Sequence, residues 1–125
     1  MFKEFNAHPK GIKTGDCVVR AIATATNKDY LECRKELNQK KRELGFSGYK
    51  DTLFLYKYLE KNPRLIFKAV KGEPRIKGSD FAELHPKGIY ILKMAGHITA
   101  CVDGVILDTW DCTYRSVYTA WEITQ

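Results

Sequence analysis

The chain has 125 residues and a mass of 14.4 kDa, the size of one domain. Hydrophobic residues make up 44% and charged residues 29%, with 2 Trp, 7 Tyr and 6 Phe, which excludes a disordered, collagen-like or low-complexity chain. The net charge of +6 is uneven: residues 1–77 hold 18 Lys/Arg against 9 Asp/Glu, and residues 78–125 hold 3 against 6.

The N-terminal MFKEFNAHPKGIK has no apolar h-region and is not a secretory signal. Residues 1–15 are expected to form an irregular arm. Asp16 is a good N-cap for CVVRAIATAT, where Val18, Ala21, Ile22 and Ala25 form an apolar stripe at helical spacing. Cys17 then opens that helix, and Asp16 and Arg20 form an i,i+4 pair. Arg20 also breaks the longest weakly polar run, which is far shorter than the roughly 20 residues a membrane helix needs. A second helix starts at Asp29, which with Glu32 resembles a capping box. Tyr30, Cys33, Leu37 and Leu44 mark its buried side, and Gly45 ends it. A third helix is expected from Asp51 to about Lys61, with Phe54, Leu55, Tyr58 and Leu59 inward, stopped by Asn62-Pro63.

The period then changes. Leu65–Val70 has strand character, and Ser79 is placed to cap a short helix through Leu84. Gly88–Met94, His97–Val102, Val105–Thr109 and Val117–Ile123 are rich in β-formers. Asp103-Gly104 between two of them is a strong hairpin signal. Helices first and antiparallel strands second predict one α+β domain over 1–125, its helical part at about 16–86 and its sheet part at about 88–124.

The hairpin fixes which residues share a face. A two-residue Asp103-Gly104 turn pairs Val102 with Val105, Ala100 with Leu107 and Thr99 with Asp108. His97, Thr99 and Cys101 then lie on one face with Ile106, Asp108 and Trp110. His97 and Asp108 become diagonal neighbours with Cα atoms roughly 7–8 Å apart, and a one-residue slip would separate them. A nucleophilic thiol needs a lowered pKa and a base, with a third group orienting the base. Cys17 at a helix start after a Gly-containing turn, with His97 and Asp108 on one sheet face, meets those requirements.

This Cys, His, Asp order resembles the papain-like superfamily of cysteine hydrolases. GDCVVRAIA resembles the nucleophile helix of small bacterial and phage-borne members, and GHITACVDGVILDTWD resembles their His strand, turn and acid strand. Residues 28–86 carry no family motif. The resemblance implies N-terminal helices packed on a C-terminal antiparallel sheet, and a protein that cleaves a peptide, isopeptide or amide bond. It implies Cys17 as nucleophile, His97 as base and acid, Asp108 as orienter and the Cys17 backbone N–H as an oxyanion donor. Many members carry Gln six residues before the Cys, where this chain has Gly11. Thr14 and Lys13 are the nearby candidates for the second donor. Asp16 and Trp110 are further candidates at the substrate site, Asp16 disfavouring a thiolate beside it and Arg20 offsetting that.

Two other functions fit the same sequence. One is a papain-like fold used as a non-catalytic protein-binding module, for example a phage product aimed at a host protein. The other is a basic nucleic-acid-binding domain, which the interleaved Glu residues and the lack of an RNA-binding motif disfavour. The basic half is better suited to an acidic protein partner or to solubility. No cofactor or metal is expected. There is no CxxC or HxxxH spacing, and His97 and Cys101 lie about 13 Å apart along a strand. Asp111 is the second choice as acid, on the other face from Asp108. Cys33 is expected to be core, and His8 and His85 to lie in loops. Four cysteines without a signal peptide suggest reduced thiols in a cytoplasm.

Overall fold

The chain folds, in chain order, into β1 (Phe2–Glu4), α1 (Cys17–Thr26), α2 (Tyr30–Leu44), α3 (Thr52–Tyr58), β2 (Arg64–Ile66), α4 (Gly78–Leu84), β3 (Ile89–Met94), β4 (His97–Val102), β5 (Val105–Asp108) and β6 (Val117–Glu122). This is a computed structural model, and it describes residues 1–11, 16–48 and 52–124. The strands make one six-stranded sheet in the order β1-β5-β4-β3-β6-β2, so the architecture is mixed α+β.

The β4–β5 hairpin carries the register that its turn dictates. Asp103 and Gly104 have φ of 49° and 77°, the left-handed pair of a type I′ turn. Val102 pairs with Val105, Cys101 with Ile106 and Ala100 with Leu107. β3 joins the other side of β4 in full register from Ile89↔Val102 to Met94↔His97.

Both sheet faces are covered. α1 packs Val18, Val19 and Ile22 against Ile91, Ile98, Ala100 and Trp121, and α2 and α3 add Cys33, Leu37 and Phe54 to this cluster. Alanines at 21, 23 and 25 are all buried and keep α1 thin, so its backbone can lie close to the sheet. On the opposite face α4 places Phe81 and Ala82 on Leu92, Met94, Cys101, Ile106 and Val117. Gly78 permits this close approach, because a Cβ there would lie 2.9 Å from Met94 Cε and 3.0 Å from Ile106 Cδ1.

α2 begins and ends as its sequence predicts. The Asp29 carboxylate accepts from the Glu32 amide at 3.1 Å, and Gly45 closes the helix at φ 79°. Other boundaries differ. The expected arm contains β1, which runs parallel to β5 with Phe2 opposite Ile106. The sheet is therefore mixed, and it draws β1 from the expected arm and β2 from the part expected to be helical. Phe2 packs on the second cluster while Lys3 and Glu4 stay exposed, and the open edge of β5 supplies the hydrogen bonds. β2 is shorter than Leu65–Val70, since after the Phe67 N–H bond to Tyr118 O the chain turns away toward α4. α3 ends at Tyr58, and Asp51 lies outside the described residues.

Ser79 does not cap α4. Lys77 takes that place, its amide donating to the Asp80 carboxylate at 2.9 Å, while the Gly78 and Ser79 amides bond to Arg115 O and Thr113 O. Among the described residues no helix is long and apolar enough to cross a membrane.

Candidate active site

The site lies where β4 begins, β5 ends and α1 starts. Cys17 is the first residue of α1, and the helix dipole favours negative charge there. Its thiol is half-buried, and His97, the Ile98 backbone N–H and Arg20 lie near enough to favour its thiolate. His97 Nε2 donates to Asp108 Oδ2 at 2.7 Å. A carboxylate can only accept, so Nδ1 is the nitrogen left to face the thiol. The diagonal pair expected from the turn register is therefore in direct contact, and both side chains are buried.

Asp108 is held at both oxygens. Its Oδ1 accepts from the Thr109 amide at 2.7 Å, and Arg20 Nη2 lies 3.8 Å from the same atom. Its Oδ2 takes the Cys112 thiol at 3.6 Å in addition to His97.

The electrostatics of the three groups are coupled. Burial pushes the Cys17 thiol up. The hydrogen bonds from His97 and the Ile98 amide, with the charges of His97 and Arg20, outweigh it and hold the thiol below its ordinary value. Burial would push His97 down, but its hydrogen bonds to Asp108, Cys112 and Cys17 and the Asp108 charge push it up to about 11. Burial raises Asp108, and the hydrogen bonds and charge of its neighbours, His97 first, bring it below the usual carboxylate range. All three directions favour a thiolate–imidazolium–carboxylate arrangement.

Asp16 does not cap α1, because its side chain makes no cap hydrogen bond. Its carboxylate instead accepts from Arg20 Nη1 and from the Tyr30 hydroxyl, and it is buried with both. A buried carboxylate gains more from a charged guanidinium and a phenol than from a solvated amide, so tertiary contacts override the cap. Asp16 therefore supports the start of α1 through Arg20 and Tyr30. Trp110 lies over His97 with ring centroids 4.8 Å apart, and Arg115 sits 5.3 Å above the indole. Thr14 and Lys13 lie outside the described residues. Asp111 is exposed and bonds the Thr113 amide and hydroxyl, away from His97.

The three other cysteines are buried free thiols. Burial pushes Cys33 and Cys101 up to about 11 each, with nearby acidic charge adding to it, so neither is reactive. His8 packs on Tyr30, with ring centroids 4.7 Å apart, and His85 stacks on Phe81. Sequence reasoning missed two participants, the bridge from Arg20 to Asp108 and the approach of Cys112. Arg20 carried a signal, since a lone cation on the apolar helix that starts with the nucleophile has to find a buried anion.

Comparison with known proteins gives no match to a family model, a curated protein or a solved structure.

Proposed function

We propose that the protein is a papain-like cysteine hydrolase that cleaves a peptide, isopeptide or amide bond with Cys17, His97 and Asp108. One observation carries this reading: a buried histidine bonded to a carboxylate at 2.7 Å lies near a half-buried thiol at a helix start and lowers its pKa. A buried histidine in the core needs one partner on each side for satisfaction. A half-exposed thiol as one of those partners is a poor choice for stability and a good one for nucleophilic chemistry.

The steps follow from the geometry. The Cys17 sulfur attacks the carbonyl carbon, forming a C–S bond while the carbonyl oxygen becomes an oxyanion. The α1 N-terminus stabilises that charge, with the Cys17 backbone N–H as one donor. His97 gives its proton to the leaving nitrogen, the C–N bond breaks, and an acyl-enzyme remains. His97 then takes a proton from water, the hydroxide attacks the thioester, and the acid product leaves with the thiol restored. Asp108 keeps Nε2 protonated throughout and so fixes Nδ1 as the working nitrogen.

The substrate is a peptide or protein, and an acidic partner suits the basic helical half. The four free thiols suit a reducing cytoplasm. The test uses a panel of fluorogenic peptide, isopeptide and simple amide substrates, with peptidyl electrophiles that trap thiolates. Cys17→Ala should abolish turnover and labelling, and His97→Ala should lower both by at least about 100-fold. Labelling that falls on another cysteine, or turnover that survives Cys17→Ala, would refute the reading.

A further inference from the structure

A second feature shares the acid side of this site and is unexplained by hydrolysis. Cys112 is fully buried in the loop between β5 and β6, and its sulfur points at the His97–Asp108 pair. The coordinating atoms of His97, Asp108 and Cys112 all lie within 4.8 Å of one another, and all three residues are buried. A nitrogen, an oxygen and a sulfur donor converging in this way form the ligand set that borderline-soft divalent cations prefer.

We propose that His97 Nε2, Asp108 Oδ2 and Cys112 Sγ form a binding site for a thiophilic divalent cation of the zinc class, with water as the fourth ligand. A tetrahedral zinc site places bound oxygen and sulfur roughly 3.5 Å apart, and nitrogen and oxygen roughly 3.3 Å apart. The sulfur lies 3.6 Å from Oδ2 already. The nitrogen and Oδ2 stand at 2.7 Å, so the His97–Asp108 bond must open by about half an ångström.

The surrounding groups are those that orient metal ligands. The Thr109 amide holds the second oxygen of Asp108 at 2.7 Å. Trp110 is half-buried over the His97 ring.

Binding replaces two protons. Protonated His97 loses its Nε2 proton and Cys112 loses its thiol proton, while the carboxylate of Asp108 is already free of one. The bound cation with neutral His97, the Cys112 thiolate and the Asp108 carboxylate is electrically neutral, and two protons leave to solvent. His97 then keeps a proton on Nδ1 only, so it cannot accept one from Cys17. The cation is therefore an inhibitor of the hydrolase. That consequence rests on the function proposed above, while the site itself does not.

Cobalt(II) tests the site, because a thiolate ligand gives it a near-ultraviolet charge-transfer band and a tetrahedral site gives it visible bands. The full chain should show both, and zinc should displace them. Cys112→Ser should weaken cobalt binding by more than about 100-fold, and Cys17→Ala should leave the bands in place. Bands lost in Cys17→Ala and kept in Cys112→Ser would place the ion on the nucleophile and overturn the proposal, as would a wild-type protein without bands. Should Cys112→Ser fail to fold, nitrogen-15 histidine spectra of the wild-type chain with zinc decide: a shift centred on His97 Nε2 supports the site, and one on Nδ1 overturns it. The two proposals fail separately. Cobalt bands in a protein without Cys17-dependent turnover would sink only the hydrolase reading, and turnover without bands would sink only the metal site.

Discussion

Asp108→Asn keeps the shape of the side chain and removes its charge, and the geometry leaves the amide no good orientation. With its oxygen toward His97, its NH2 faces the Thr109 amide, a donor against a donor at 2.7 Å, with Arg20 Nη2 3.8 Å away as a third. With its oxygen toward Thr109, its NH2 faces His97 Nε2. The ring proton then moves to Nδ1, the tautomer that cannot accept from Cys17. Either way the buried charge-assisted hydrogen bond is lost, and either a donor faces the Thr109 amide or His97 is forced into the wrong tautomer, together about 2–4 kcal/mol. For a chain of 125 residues the unfolding entropy is about 0.26 kcal/mol per kelvin, so melting should fall by about 8–15 °C. The serine-triad analogue of this change costs roughly 10⁴ in turnover, and here a loss of at least about 10²-fold is expected. Thermal melts followed by circular dichroism give the first number. Iodoacetamide labelling of Cys17 at pH 7, followed by peptide mass spectrometry, gives a substrate-free second readout and should slow by at least about tenfold. Melting within 2 °C of wild type together with an unchanged labelling rate would show that Asp108 does not hold His97, and the triad would fall with it.

Other outcomes follow from the same contacts. In the native protein iodoacetamide should modify Cys17 first, with Cys33 and Cys101 reacting only on unfolding, because burial pushes both up to about 11. A mass map with equal rates would contradict the assigned environments. Those two thiols also set an alkaline limit. Their folded values lie above the unfolded value of 9.0, so below pH 9 they cost nothing, and between pH 9 and 11 the unfolded chain releases protons that the folded chain retains. Stability should fall there by up to about 1.4 kcal/mol per pH unit for each thiol, and denaturant midpoints should show it. Tyr58 and Tyr90, both raised mainly by burial, extend the fall above pH 10. Gly104→Ala should cost about 1–2 kcal/mol or more, since φ is 77° and a Cβ would lie 3.2 Å from both Ala82 O and Pro86 Cα. A neutral result in urea titration would mean that the turn does not hold the β4–β5 register.

The parts of this site that could be read in the sequence are those set by local rules. Asp103-Gly104 demands two left-handed residues, which fixes a two-residue turn and, through the period of two, puts His97 and Asp108 on one face. Cys17 opens a helix because an apolar stripe begins one residue later. The parts that could not be read are those where two distant segments compete for one group. Asp16 had the chemistry of a cap, and a local rule assigned it there. Tyr30 lies fourteen residues on and Arg20 four, and once α2 folds over α1 both reach the same carboxylate and displace the cap. The arm gave no strand signal beyond the alternation of Phe2, Lys3 and Glu4, because the demand for β1 comes from the open edge of β5 about a hundred residues later. Cys112 is the clearest case. Counted along the strand it lies past the end of β5, where period-two reasoning no longer applies. The loop after Asp108 turns back, so the sulfur returns to the carboxylate four residues behind it. The rise along the strand could exclude Cys101 as a partner of His97 but was silent about Cys112, and for that reason the ligand cluster emerges only from the folded loop.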